Sequence, residues 1–103
     1  MVALTGRNEF RRVLDQGGRR RVGGIVMVSA RGIEEVARVG LIAGRRMGNA
    51  VDRNRAKRRI RHAVRAVSLE SGRDYVVIAS TTVLDVPFRK LIAWLSAAAD
   101  SKE

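Results

Sequence analysis

Cysteine is absent from this chain, which excludes a disulfide framework, a thiolate metal site and a cysteine nucleophile. That absence fits a reducing, cytoplasmic compartment. Histidine occurs once, at His62, so a multi-histidine metal centre is excluded as well. Only four aromatic residues are present, Phe10, Tyr75, Phe88 and Trp94, and any surface that stacks unpaired bases must be thin. No apolar run approaches the ~20 residues of a membrane-spanning helix, and no secretory signal is expected, because the N-terminus has no continuous apolar stretch. Acidic residues number 10 against 21 Lys and Arg. Glu34 and Glu35 fall in a turn and the other carboxylates are scattered, so two-metal chemistry by the protein is not expected.

The positive charge is what the chain has in excess. Its formal net charge is +11 and its pI about 11.7, with 18 Arg and 3 Lys among 103 residues. Such an excess predicts attraction to a polyanion and says nothing about fold. The apolar fraction of 46% belongs to a folded protein rather than a basic tail. The length suits a single domain over residues 1–103 with one modest core.

Hydrophobic spacing predicts the elements. Arg7 to Gln16 reads as a helix with Phe10, Val13 and Leu14 on one face, ended by Gly17 and Gly18. A basic patch, Arg19 to Arg21, follows and carries a possible extra short strand. Ile25 to Ala30 reads as a strand, 31–35 as a hairpin connection, and Val36 to Ala43 as the partner strand. A glycine-punctuated loop, 44–49, leads into a helix from about Ala50 to Val67. Asn49 is its expected N-cap and Asp52 suits its first turn. Tyr75 to Ser80 is apolar throughout, as in a strand covered on both faces. Asp85 and Pro87 announce a last helix with Phe88, Leu91, Ile92 and Leu95 on one face, fraying after Ala97. The class is α/β, a small sheet packed by helices.

Nine residues between 45 and 65 are Arg or Lys, and Asp52 alone opposes them. On the helix, Ala56, Ile60, Ala63, Val64 and Val67 share one arc, while arginines sweep the rest. A solvated helix face normally mixes both signs. A membrane-surface or calmodulin-type helix wants bulky apolar residues, whereas Ala, Ile and Val are sized for packing on a sheet. A base-reading DNA helix needs only a few contacts in one groove. Arginine forks over most of the exposed surface suit phosphates approaching from several directions, as in a folded RNA. Asn54, between two arginines, is placed to bond a base edge or sugar.

The run GNAVDRNRAKRRIRHAVR, with Gly48, Asn49, Ala50, Val51, Arg53, Asn54, Arg55, Lys57 and Arg58 at its core, resembles the signature of the bacterial ribonuclease P protein subunit. EFRRVL at Glu9–Leu14, ARVGLIAGRRMGNAV at Ala37–Val51 and RDYVVIAS at Arg73–Ser80 resemble the flanking segments of that family in the same order. The resemblance implies a small central mixed sheet packed by helices, of the class seen in the second domain of a small-subunit ribosomal protein. It also implies a left-handed βαβ crossover through the basic helix, against the general right-handed rule.

The same resemblance implies an accessory subunit of a tRNA 5′-processing endoribonuclease. The catalytic component would be an RNA using Mg2+, with no catalytic residue, cofactor or metal site on the protein. Implied partners are that RNA and precursor tRNA; no membrane and no small-molecule substrate is implied, and a monomer is expected within the complex. Arg53, Asn54, Arg55, Arg58, Arg59, Arg61 and Arg65 are expected to face the catalytic RNA. Phe10, Arg11, Leu14, Val28, Arg45, Arg46 and Lys57 are expected to line or border the path of the single-stranded 5′ leader. Leu14 and Val28 stand where relatives often carry aromatics. Gly44-Arg45-Arg46 replaces a Ser-Lys-Lys-like loop, keeping charge and losing a hydroxyl. The segment before Thr5 is short, so a leader contact from a longer tail is not expected. The competing readings are a ribosomal or general RNA-binding module, and a protein-only nuclease.

Overall fold

The computed structural model describes residues 2–100; Met1, residues 101–103 and the side chain of Arg45 lie outside the described residues. In chain order the elements are β1 (Val2–Ala3), α1 (Arg7–Gln16), β2 (Gly18–Val22), β3 (Ile25–Arg31), β4 (Arg38–Ala43), α2 (Ala50–Val64), β5 (Arg73–Ala79) and α3 (Phe88–Ala99). Short 3-10 turns cover Arg45–Met47 and Thr81–Leu84. The strands form one mixed sheet in the order β1-β4-β5-β3-β2.

The apolar run at Tyr75 takes the middle of the sheet. β5 pairs in parallel with β4 and antiparallel with β3, and Asp74 to Val77 are buried. This overturns the expected hairpin between residues 25–30 and 36–43, because β5 lies between those two strands. The physical reason is burial: β5 is apolar toward both layers, and only a central slot covers both. The hairpin that does form joins β2 to β3 through Gly23 and Gly24. Gly23 has a φ of 54°, and a Cβ there would stand 2.0 Å from the Trp94 ring, so α3 packs directly on that turn. β1, absent from the sequence reading, pairs in parallel with Arg38 and Val39 of β4.

The sheet carries two cores. On one face α2 and α3 cover Ile25, Met27, Val39, Tyr75 and Val77, joined by Ile60, Leu91 and Leu95. On the other, α1 covers Val28, Ala30 and Val76 through Val13, with Phe10, Leu14, Val26, Ile42 and Ile78 half-buried around it. Among the described residues α1 is the only helix on its face, so the sheet beyond its reach stays partly open. In α3 the apolar face runs through Leu91, Leu95 and Ala98, whereas Phe88 in the first turn is exposed.

α2 connects the parallel neighbours β4 and β5. Gly48, at φ 101°, turns the chain into it. The Asn49 side-chain oxygen accepts from the Asp52 backbone N–H at 2.8 Å, the N-cap expected from the sequence. Ala56, Ile60, Ala63 and Val64 are its buried residues. The helix ends at Val64, and residues 65–67 continue as a tightened turn with i→i−3 hydrogen bonds.

Candidate nucleic-acid interface

Three stripes of polar side chains leave α2 on the sides its buried face does not use. Asn54, Arg58, Arg61 and Arg65 fall within an arc of about 60° on the outer side, and all four are exposed. None of these arginines has an ion-pair partner among the described residues. Each guanidinium therefore keeps its planar fork of donors available to phosphate.

The second stripe behaves otherwise. Arg59 is half-buried and donates to the backbone carbonyls of Val83 and Val86, both at 2.6 Å. Arg55 donates to the Leu84 carbonyl at 2.9 Å and stands 3.7 Å from the exposed Asp85 carboxylate. These arginines satisfy carbonyls at the end of the 3-10 turn before α3, where the backbone has no further helical partner. Arg59 is another of the residues expected to face the catalytic RNA. Its fork is committed to tying α2 to the 83–86 segment, although its charge remains near the surface.

The third stripe turns toward α1. Lys57 and Arg61 line a groove of about 440 Å3 together with Leu4, Gly6, Phe10 and Gly40. The groove sits at the edge of β4, where β1 has ended and α1 and α2 reach round from opposite faces of the sheet. The half-buried Phe10 ring lies directly over Gly40; a Cβ at Gly40 would stand 2.4 Å from Phe10 Cζ. Arg61, assigned to the catalytic-RNA face from the sequence, thus borders this groove as well. Arg53 at the start of the helix is half-buried and donates to the Gly48 carbonyl at 2.6 Å.

The remaining leader-path residues divide. Arg11 is exposed on α1, and Leu14 is half-buried over the sheet. Val28 is 0% exposed, which corrects its placement on the leader path. It is sealed beneath the end of α1, so close that a Cβ on Gly17 would stand 2.7 Å from Val28 Cγ1. The partly open positions on that face are Val26, Ile42 and Ile78, which sequence reasoning did not single out. Arg46 is exposed and borders a second groove of about 620 Å3, with Met47, Ile78, Ser80 and Thr81, at the ends of β4 and β5. Arg45 was expected beside it, but its side chain lies outside the described residues.

An ionic cluster holds α1 on the sheet, and it too escaped the sequence reading. Asp74 is fully buried and accepts from Arg38 at 2.9 and 2.7 Å and from Arg12. Glu9 accepts from Arg38 at 2.9 Å and from Arg12 at 3.2 Å, and Arg12 also donates to the Arg31 carbonyl at 3.0 Å. The Arg38 hydrogen bonds, reinforced by Arg12, hold the Asp74 carboxyl below its usual range despite burial. Arg12 and then Arg38 lower Glu9 in the same way. The Asp74 bonds raise Arg38 further above its ordinary value. The one signal in the sequence is a charged residue inside an apolar strand, which has to find partners when buried.

Among the described residues no group of three His, Cys, Asp or Glu side chains is placed to hold a metal ion. No helix among them is long and apolar enough to cross a membrane.

Comparison with known proteins adds a family to this geometry. The chain is 42% identical over 88 residues to a ribonuclease P protein component of Chloroflexus aggregans, covering 82% of this chain and 65% of the relative. It is 52% identical over 64 residues to that of Bartonella quintana, covering 59% of this chain and 48% of the relative. The chain thus spans about half to two thirds of the length of these curated relatives. The fold superposes on the ribonuclease P protein from Thermotoga maritima with a TM-score of 0.85 at 23% identity, covering 100% of this chain and 99% of the other. The Staphylococcus aureus protein gives a TM-score of 0.79 at 24% identity, covering 95% and 92%. A five-stranded mixed sheet with three helices is therefore shared at the level of fold. The model of the family described as Ribonuclease P matches residues 2–101, nearly the whole of this sequence, and the chain belongs to that family.

Proposed function

We propose that this chain is the protein subunit of ribonuclease P, which removes the 5′ leader of precursor tRNA. The outer stripe of α2, with Asn54, Arg58, Arg61 and Arg65, grips the catalytic RNA through phosphates and 2′-hydroxyls. The groove between Phe10, Gly40 and Lys57 receives the single-stranded leader, with Arg11, Leu14 and Arg46 along its course. Phe10 supplies the aromatic face and Lys57 and Arg61 supply charge. Chemistry belongs to the RNA, whose bound Mg2+ activates water at the scissile phosphate. The protein offsets phosphate repulsion where leader and catalytic RNA converge, so its contribution is largest when Mg2+ is scarce. It acts in the cytoplasm as one protein chain per complex.

The observation that supports this reading most strongly is the outer stripe. Three arginines and an asparagine share one helix face, without ion-pair partners among the described residues, in a member of the Ribonuclease P family. Reconstitution tests it. The protein, the ribonuclease P RNA and a precursor tRNA are combined at low Mg2+ and compared with each component alone. Cleavage at the mature 5′ end in the mixture only is expected. Cleavage by the protein alone, or no stimulation of the RNA, overturns the reading.

A further inference from the structure

The sheet face covered by α2 and α3 carries its own set of arginines, at the end where β5 begins. Arg31 of β3 and Arg73 of β5 are direct register partners, and paired residues project from the same face of a sheet. Alternation places Ser29 and Arg31 on the side of Met27, and Arg73 on the side of Tyr75. Met27 and Tyr75 belong to the core under α2 and α3, so these arginines stand on the face away from α1. Arg20 of β2 pairs with Met27 and joins them there. Like charges directly opposite on paired strands destabilise a sheet. Among the described residues none of the three arginines has an ion-pair partner to offset that repulsion.

Arg73 organises the set. It is half-buried, and its Nε donates to the Ser29 Oγ at 2.8 Å. That bond fixes the plane of the guanidinium, while neither Nη has a partner among the described residues. Arg73 and Ser29 line a groove of about 310 Å3 together with Arg20, Met27 and Ala98, beside the last turn of α3, and no carboxylate lines it. Arginines near a helix C-terminus often bond its final carbonyls. Among the described residues neither Arg20 nor Arg73 donates to α3. Charge on an outer strand also discourages edge-to-edge sheet pairing. That role accounts for Arg20 and not for Arg73, because β5 is the central strand.

The geometry points to a phosphate site for the catalytic RNA, separate from the outer stripe of α2. The free Nη groups of Arg73 take one phosphodiester as a fork, Arg20 closes on it from β2, and Arg31 adds charge alongside. Ser29 is a positioning residue, holding the fork in place before the RNA arrives. A bound phosphate also offsets the repulsion between Arg31 and Arg73. This inference rests on the subunit reading above and adds a second grip on the same RNA. The groove lies in the layer of α2 and α3, at the β2 side of the sheet, whereas the Phe10 groove opens at the β4 edge beside α1. An RNA seated here does not compete with a leader there. The domain measures only 32 × 27 × 21 Å, so one folded RNA against the outer side of α2 also reaches the end of α3.

The test titrates the full chain against ribonuclease P RNA across a salt series, without tRNA. Wild type is compared with R20A, R73A, S29A and R21A, and a circular dichroism melt of each reports its fold. R21A removes the same charge from the same strand, on the opposite face. R73A is expected to weaken RNA binding about tenfold, as loss of a charge-assisted contact does, and R20A to weaken it in the same direction. Both should lower the log–log salt slope by roughly 0.7 to 0.9 per phosphate contact removed. S29A keeps every charge, so its affinity falls while its slope stays at the wild-type value. R21A keeps both affinity and slope. R20A matters most if R73A proves unstable, because Arg20 is exposed and makes no bond within the described residues. Equal losses in R20A and R21A, or a loss in R20A and R73A seen only when precursor tRNA is titrated onto the assembled complex, overturn the inference. If wild type binds the RNA and stimulates cleavage while R20A and R73A bind it equally well, the groove falls and the subunit reading stands. If wild type neither binds nor stimulates the RNA, both fall.

Discussion

Arg38 and Asp74 face each other as register partners on the parallel strands β4 and β5, and the guanidinium closes on the carboxylate in a two-point contact. Nε donates to Oδ1 at 2.9 Å and Nη2 to Oδ2 at 2.7 Å. Arg12 of α1 joins the same carboxylate, and Glu9 bridges both arginines. The cluster sets where α1 lies on the sheet, and hence where Phe10 and Leu14 stand.

Removing the central carboxylate leaves two guanidiniums without their buried partner. Asp74→Ala is expected to destabilise the fold by about 3 kcal/mol, at the low end for a broken buried pair because both arginines retain some solvent contact. The check is urea denaturation at neutral pH.

The same cluster gives a pH dependence with a definite sign. The folded-state pKa values of Asp74 and Glu9 are depressed, so the unfolded chain binds protons first as acid is added. Their stabilisation is complete above the ordinary carboxylate range near pH 4 and is lost as pH falls through that range to the depressed folded values. Wild type should lose stability steeply on acidification. Asp74→Asn should start lower and show a shallower decline, read from denaturation midpoints between pH 7 and pH 3.

Arg58 and Arg59 are neighbours in sequence with different surroundings, the first exposed and the second bonded to backbone carbonyls. Arg59→Ala breaks two charge-assisted bonds to the Val83 and Val86 carbonyls and is expected to cost about 2 kcal/mol of stability. Arg58→Ala should leave stability within about 0.5 kcal/mol, weaken binding to the catalytic RNA and lower the salt slope by roughly 0.7 to 0.9. Thermal melts and RNA titrations of the two variants read both effects.

Why the sequence separates these two residues poorly is physical. Helical periodicity identified the buried Ala56, Ile60, Ala63 and Val64, and local capping chemistry identified Asn49, because both depend on residues within a few positions. An arginine off the buried arc reads as solvated whether or not a carbonyl 24 or 27 residues away will accept from it. The same limit explains Asp74, whose arginine partners lie 36 and 62 residues away in the chain. It also explains the mistaken hairpin: apolar, β-branched composition marks β3 and β4 as strands and carries no information about which strand lies between them. The Phe10 groove was partly visible, since Phe10 and Lys57 were both singled out, but Gly40 and Arg61 enter it only through the packing of α1 and α2 around β4.

Asn49 tests how far the first turn of α2 depends on its cap. Asn49→Ala removes the acceptor of the Asp52 N–H and should cost about 1 kcal/mol. For a domain of this size that lowers Tm by about 5 °C. Asn49→Asp should restore most of the loss, because a carboxylate accepts the same bond and suits the helix N-terminus.

Gly40 is the strictest test of the proposed leader groove. Its missing side chain is what lets the Phe10 ring lie against β4, and a methyl there would fall 2.4 Å from Cζ. Gly40→Ala must therefore push the ring off the strand and shift the start of α1, against the anchor formed by Glu9 and Arg12 in the same turn. Overpacking of this kind costs about 1–3 kcal/mol. The free side of α2 is untouched, so affinity for the catalytic RNA should hold while affinity for a leader-bearing precursor falls. Phe10→Ala in the Gly40→Ala background relieves the clash and should recover stability without recovering leader affinity. Equilibrium binding of mature and precursor tRNA to the assembled complex, paired with urea denaturation of the protein, distinguishes that pattern from a general loss of fold. A stability recovery accompanied by full leader binding would show that the ring takes no part in holding the substrate.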